Sequence, residues 1–133
     1  MKKKRILVID DEESLCHMLK LNLEKTGAYV IDTALSAIEG YAKVRSGRYD
    51  AIFLDVLMPH VEGGEALPQI KKMTDTPVVV MSAYLLADKM DAIRKAGAFD
   101  ILEKPFTFEK ALETIHKVLA AREKERITNN PSN

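Results

Sequence analysis

At 133 residues the chain has the length of one ordinary domain, enough to bury about two-thirds of the surface it exposes when unfolded. Its 20 Lys and Arg balance 20 Asp and Glu, leaving no global field to draw in nucleic acid or an anionic membrane. One cysteine, Cys16, excludes an intrachain disulfide, and no apolar run approaches the ~20 residues that span a bilayer. The basic run Lys2-Lys3-Lys4-Arg5 precedes too short an apolar stretch for a secretory signal, so it reads as a solubilising strand edge and the expected compartment is the cytoplasm.

In chain order, RILVID at 5–10 is a near-continuous apolar run, as in a strand covered on both faces. A helix is expected at 12–26, with Leu15, Met18, Leu19 and Leu23 on one side, Cys16 as a core thiol in that stripe, and Gly27 as its stop. YVIDT at 29–33 alternates, as an edge strand does. Ser36 and Glu39 have capping-box spacing for a helix ending near Gly47. AIFLD at 51–55 is the third strand, followed by a helix at 63–73 whose early turns are limited by Pro68. PVVVMS at 77–82 is the fourth strand, a helix from about 85 to 96 is closed by Gly97, and FDIL at 99–102 is the fifth strand. Thr107 caps a final helix in which Phe108, Leu112, Ile115 and Leu119 recur at helical spacing. Residues 1–122 form one domain in this reading, and 123–133 a helix extension ending in a disordered polar tail, RITNNPSN.

Five strand-helix units with short connections predict an α/β fold, a doubly wound five-stranded parallel sheet with five flanking helices. Ligands of such sheets bind in the crevice at the carboxyl ends of the strands. That edge receives Asp10 and Asp11 from the first strand, Asp55 from the third, Ser82 from the fourth and Lys104 just past the fifth. Unit charges ~4 Å apart repel by roughly 4 kcal/mol at an effective dielectric of ~20, so three carboxylates need a cation. Mg2+, which binds one or two carboxylates and leaves places for phosphate oxygens, suits this sparse set. Any one Asp here is explained by helix capping, but the combination with a hydroxyl and a lysine is not. His17, His60 and His116 lack metal-ligand spacing.

The motifs ILVIDDEE, LDVLMPHVEGGE, VVVMSA and EKPF, in this order and spacing, resemble a response regulator receiver domain over residues 4–121. The resemblance implies a flavodoxin-like sheet ordered 2-1-3-4-5, with Asp55 as the phosphorylated residue. It implies Mg2+ held directly by Asp11 and Asp55, with help from Asp10, partly through water, and from the Leu57 carbonyl. Ser82 and Lys104 fall on the family's phosphate-contacting positions, and the Lys104-Pro105 bond is expected to be cis. The implied partners are a sensor histidine kinase or phosphotransfer domain, with dimerisation or target docking on the face of the fourth helix, fifth strand and fifth helix, near Leu85, Leu86, Ile101 and Phe106. The EKPF motif and long last helix resemble receivers that control enhancer-binding ATPases, so the chain reads as a stand-alone relay or the front of a larger regulator. No direct nucleic-acid contact is expected.

The chain departs from the family pattern at Ile101, where many receivers carry an aromatic switch residue; Phe99 is on the same side of an ideal strand. Leu57 and Tyr84, in positions that steer a hydrolytic water in the family, are bulky here, which implies slow dephosphorylation. An aspartyl-nucleophile phosphatase needs a second acid two residues after Asp55, where Leu57 stands. A nucleotide or flavin site needs a phosphate loop after the first strand, where Asp-Asp-Glu-Glu would repel the ligand. All five site residues are present, which counts against a non-phosphorylated, receiver-like binding module.

Overall fold

The computed structural model describes residues 2–56, 66–83 and 87–129. The strands β1 (Lys4–Ile9), β2 (Tyr29–Ala34), β3 (Ala51–Asp55), β4 (Val78–Ser82) and β5 (Asp100–Glu103) alternate with helices α1 (Glu13–Lys25), α2 (Ala37–Ser46), α3 (Ala66–Met73), α4 (Ala87–Lys95) and α5 (Phe108–Asn129). All pairings are parallel and the order is β2-β1-β3-β4-β5. Every residue of β3 and β4 is buried, whereas β2 and β5 keep partly exposed positions, as edges do.

The sheet divides the core into two layers. Val8, Phe53 and Met81 meet Cys16, Leu19 and Leu23 of α1 and Ala111, Ile115 and Val118 of α5 on one side. Ile9, Leu54 and Val80 meet Val44 of α2 and Ala66, Leu67 and Ile70 of α3 on the other. Ile101 packs with Ile93 of α4 against this second layer, and α4 has no fully buried residue.

Several boundaries differ from those expected. β1 stops at Ile9, because Asp10 uses its carboxylate to accept the Glu12 amide at 2.9 Å and turns the chain into α1. β5 is shifted one residue on, from Asp100 to Glu103, in register with Val79–Ser82. Phe99 therefore lies outside the strand and is 38% exposed, so it does not stand in for a buried aromatic beside Ile101. Ser36 accepts the Glu39 amide as a cap, but Glu39 reaches back to the Leu35 amide rather than closing the box on Ser36. Thr107 caps α5 through the Lys110 amide, and α5 continues to Asn129, into the segment read as a tail. Gly27 (φ 81°) and Gly97 (φ 110°) adopt the left-handed conformation that ends α1 and α4.

Asp32 on edge strand β2 accepts the Tyr49 hydroxyl at 2.7 Å and the Arg5 guanidinium at 2.9 Å. Burial alone would raise its carboxyl, but these two donors outweigh it and hold the group below its ordinary value of 3.8. A depressed folded pKa gives stability that is complete above the unfolded value and is lost as pH falls through the folded one. Asp32→Ala is expected to cost about 1–2 kcal/mol near pH 7, discounted for partial exposure. Thermal melts will show the gap from wild type closing as the pH drops below about 4.

Candidate functional site

The β1–β3 register sets Ile9 beside Leu54, so the residues that follow, Asp10 and Asp55, leave the sheet side by side. Asp11 comes next in the chain, and one carboxylate oxygen from each of the three acids lies within 4.8 Å of the others. Asp10 is fully buried, Asp55 is 6% exposed, and Asp11 faces solvent. Lys104 arrives from β5, its amide donating to the Ser82 carbonyl at 2.8 Å. Its Nζ reaches Asp10 Oδ2 at 2.7 Å and Asp55 Oδ2 at 3.1 Å, and the Lys104-Pro105 peptide bond is cis, as expected. Ser82 is fully buried at the end of β4, its hydroxyl donating only weakly, at 3.4 Å, to the Ala83 carbonyl.

The electrostatics follow from this crowding. Burial pushes the Asp10 carboxyl up, against the pull of Lys104 and the Glu12 amide. Burial would lower the Lys104 ammonium, but Asp10 and Asp55 prevail and raise it. One ammonium among three carboxylates leaves the cluster negative and accessible from Asp11. The donor set is all hard carboxylate oxygen, clustered and incompletely neutralised, which fits Mg2+ or a similar divalent cation.

The structure thus brings together Asp10, Asp11, Asp55 and Lys104, with Ser82 at the end of the strand beside Asp55. Leu57, His60, Tyr84, Leu85 and Leu86 lie outside the described residues. Two contacts at the site went unrecognised in the sequence. Glu12 approaches Lys104 at 3.9 Å and offers its amide to Asp10. Cys16 donates its thiol to the Asp10 carbonyl at 3.4 Å, and burial pushes that thiol up to about 11, so it is an inert packing group as expected. A cavity of about 340 Å3 opens between Leu15, Phe106 and Pro105, with Glu12 and Lys104 on its wall.

A five-stranded sheet wound in two directions, with acids at two neighbouring strand ends and a lysine spanning them, defines a switch-point site of the flavodoxin-like α/β class. Residues 6–116 match the response regulator receiver domain family. Transcriptional regulatory protein ZraR of Salmonella typhimurium is 35% identical over 116 residues, which cover 86% of this chain and 26% of ZraR. A CheY-like receiver domain protein from Methanospirillum hungatei JF-1 has a TM-score of 0.87 at 30% identity, covering 93% of this chain and 99% of that one. The beryllofluoride-activated NtrC4 receiver domain dimer gives 0.81 at 36% identity, covering 89% and 98%. The chain belongs to the response regulator receiver domain family, whose members serve phosphorylation-dependent two-component signalling. It spans about a quarter of the length of ZraR. No helix among the described residues is long and apolar enough to cross a membrane.

Proposed function

We propose that Asp55 accepts a phosphoryl group from a sensor histidine kinase or phosphotransfer domain, and that the modified site shifts the α4-β5-α5 face to control a partner or output domain. The observation that carries this reading is the contact of Asp55 Oδ2 with Lys104 Nζ at 3.1 Å, with Asp10 and Asp11 gathered beside them. In this reading 1–122 is the receiver and 123–133 an extension of α5 with a polar tail. The protein works in the cytoplasm without touching nucleic acid itself.

Asp10, Asp11 and Asp55 would hold Mg2+, joined on family pattern by the Leu57 carbonyl. When bound, the ion supplies charge neutralisation on the phosphoryl oxygens. An Asp55 oxygen contributes the electron pair for the new O–P bond, and the bond from phosphorus to the donor atom breaks, its pair leaving with the donor. A carboxylate is already an anion at neutral pH, so no base is required. Lys104 offers its ammonium to the incoming oxygens, and Ser82 exchanges its weak bond to Ala83 for a phosphoryl oxygen, drawing in the start of the loop before α4. The cavity bordered by Leu15 and Phe106 is the approach for the phosphodonor. The NtrC4 receiver is a dimer in its activated form, which supports a homodimer through α4-β5-α5 as the response here.

Intact mass after incubation with Mg2+ and acetyl phosphate tests the reading: a single phosphoryl adduct is expected, lost when EDTA is present. An unmodified protein under both conditions contradicts it.

Signalling runs through the Ser82 loop rather than through Ile101, which is already packed against the second core layer. Ile101→Ala is expected to lose about 1–3 kcal/mol of stability, because its site is only partly buried. Its amide spectrum with and without beryllofluoride should nevertheless show nearly the wild-type activated shifts. Loss of most of those shifts would return the switch to position 101. Leu57→Asn with Tyr84→Glu is expected to shorten the lifetime of the phosphorylated form, measured by loss of the adduct mass.

A further inference from the structure

Six cationic side chains meet at the amino ends of the strands, the pole of the sheet opposite Asp55. Lys2, Lys3 and Arg5 come from the start of β1, Arg48 from the turn before β3, and Arg122 and Arg126 from the later turns of α5. They line a cavity of about 390 Å3, within the range of small-molecule sites. Among the described residues Asp50 and Asp75 are the only acids on its wall, so that lining carries a net charge of +4 in a chain whose own charge is zero.

Asp32, just outside the lining, offsets Arg5, and the rest of the excess is not cancelled by local pairing. Arg122 donates to the Asp75 carbonyl at 3.2 Å and to its carboxylate at 3.4 Å, Arg126 reaches Asp50 at 3.4 Å, and Lys2, Lys3 and Arg48 have no ion pair among the described residues. The Arg122 side chain is 15% exposed, and its Nε is buried with no hydrogen-bond partner among the described residues. Arg5 is held in place by Asp32 at 2.9 Å and by the Tyr49 ring 5.1 Å from its guanidinium, so one anchor is preorganised. Guanidinium groups match the paired oxygens of phosphate, and a phosphate chain would compete for donors now given to Asp75 and Asp50.

We propose that this cavity binds a small anion bearing several phosphate groups, of the class of a nucleoside triphosphate or an inorganic tripolyphosphate. A lone phosphate leaves most of the wall unneutralised, whereas a linear triphosphate carries enough charge to offset it. The site is separate from Asp55 and stands whatever the chemistry there.

Titration of the 15N-labelled full chain with tripolyphosphate and, separately, with ATP, both without Mg2+, tests this. Saturable shifts are expected at the amides of Arg5, Asp50 and Thr76, with binding that weakens as salt rises. Lys3→Gln with Arg48→Gln, both on exposed side chains, should weaken binding by about tenfold or more without changing the melting temperature. Arg122→Gln should act in the same direction. Tighter binding of ATP assigns the site to nucleotides, and equal binding assigns it to the phosphate chain alone. No saturable shift at millimolar ligand, shifts centred on Lys104, or unchanged affinity in the Lys3→Gln, Arg48→Gln variant would overturn the proposal.

Discussion

Asp55→Asn is expected to abolish the phosphoryl adduct while leaving the fold intact. The substitution keeps the shape of the side chain and an oxygen for Lys104 to bond at the end of β3, but an amide has no anionic pair to give to phosphorus. It also removes one of three mutually repelling carboxylates, so in metal-free buffer the melting temperature should hold or rise. A fall of several degrees in the melting temperature would mean that Asp55 is chiefly a structural partner of Lys104. An adduct of unchanged yield would move the acceptor elsewhere.

The second large effect has two opposite signs. Lys104→Ala deletes the cation that bridges Asp10 and Asp55 at 2.7 and 3.1 Å. Phosphorylation by acetyl phosphate should slow by about a hundredfold, the typical cost of losing one preorganised donor to the transferring group. Mg2+ should nevertheless bind about tenfold more tightly, since the ammonium no longer competes for the two carboxylates and the cluster becomes more negative. Calorimetric titration with Mg2+ reads the second effect without any phosphodonor. A lysine that served only as a surface ion pair would move neither quantity, because such pairs contribute little.

Much of the fold was legible because the patterning matched the burial. The runs RILVID, AIFLD and PVVVMS are near-continuously apolar since β1, β3 and β4 lie inside the sheet, and YVIDT alternates since β2 is an edge. FDIL was placed one residue early, because the register of β5 is set by pairing with Val79–Ser82, a long-range contact with no local signal. The end of α5 was also misjudged: Arg126, read as the start of a polar tail, lies in a helix that continues to Asn129 and pairs across the fold with Asp50. At the site, the convergence of Asp10, Asp11, Asp55 and Lys104 follows from parallel topology alone, once each is recognised as lying at a strand end. The link from Glu12 to Lys104 and the thiol bond of Cys16 depend on side-chain directions at the start of α1, which residue spacing does not encode. The basic cavity was invisible for the same reason. Lys2 and Lys3 read as a solubilising run until the fold carried Arg122 to them from the far end of the chain.

The most direct test of the central claim is the position of the modification. Wild-type protein treated with Mg2+ and acetyl phosphate, reduced with borohydride and mapped by peptide mass spectrometry, should carry homoserine at position 55 and at no other aspartate. Homoserine at Asp10 or Asp11, or phosphate recovered on a serine, threonine or histidine with Asp55 unaltered, would contradict it.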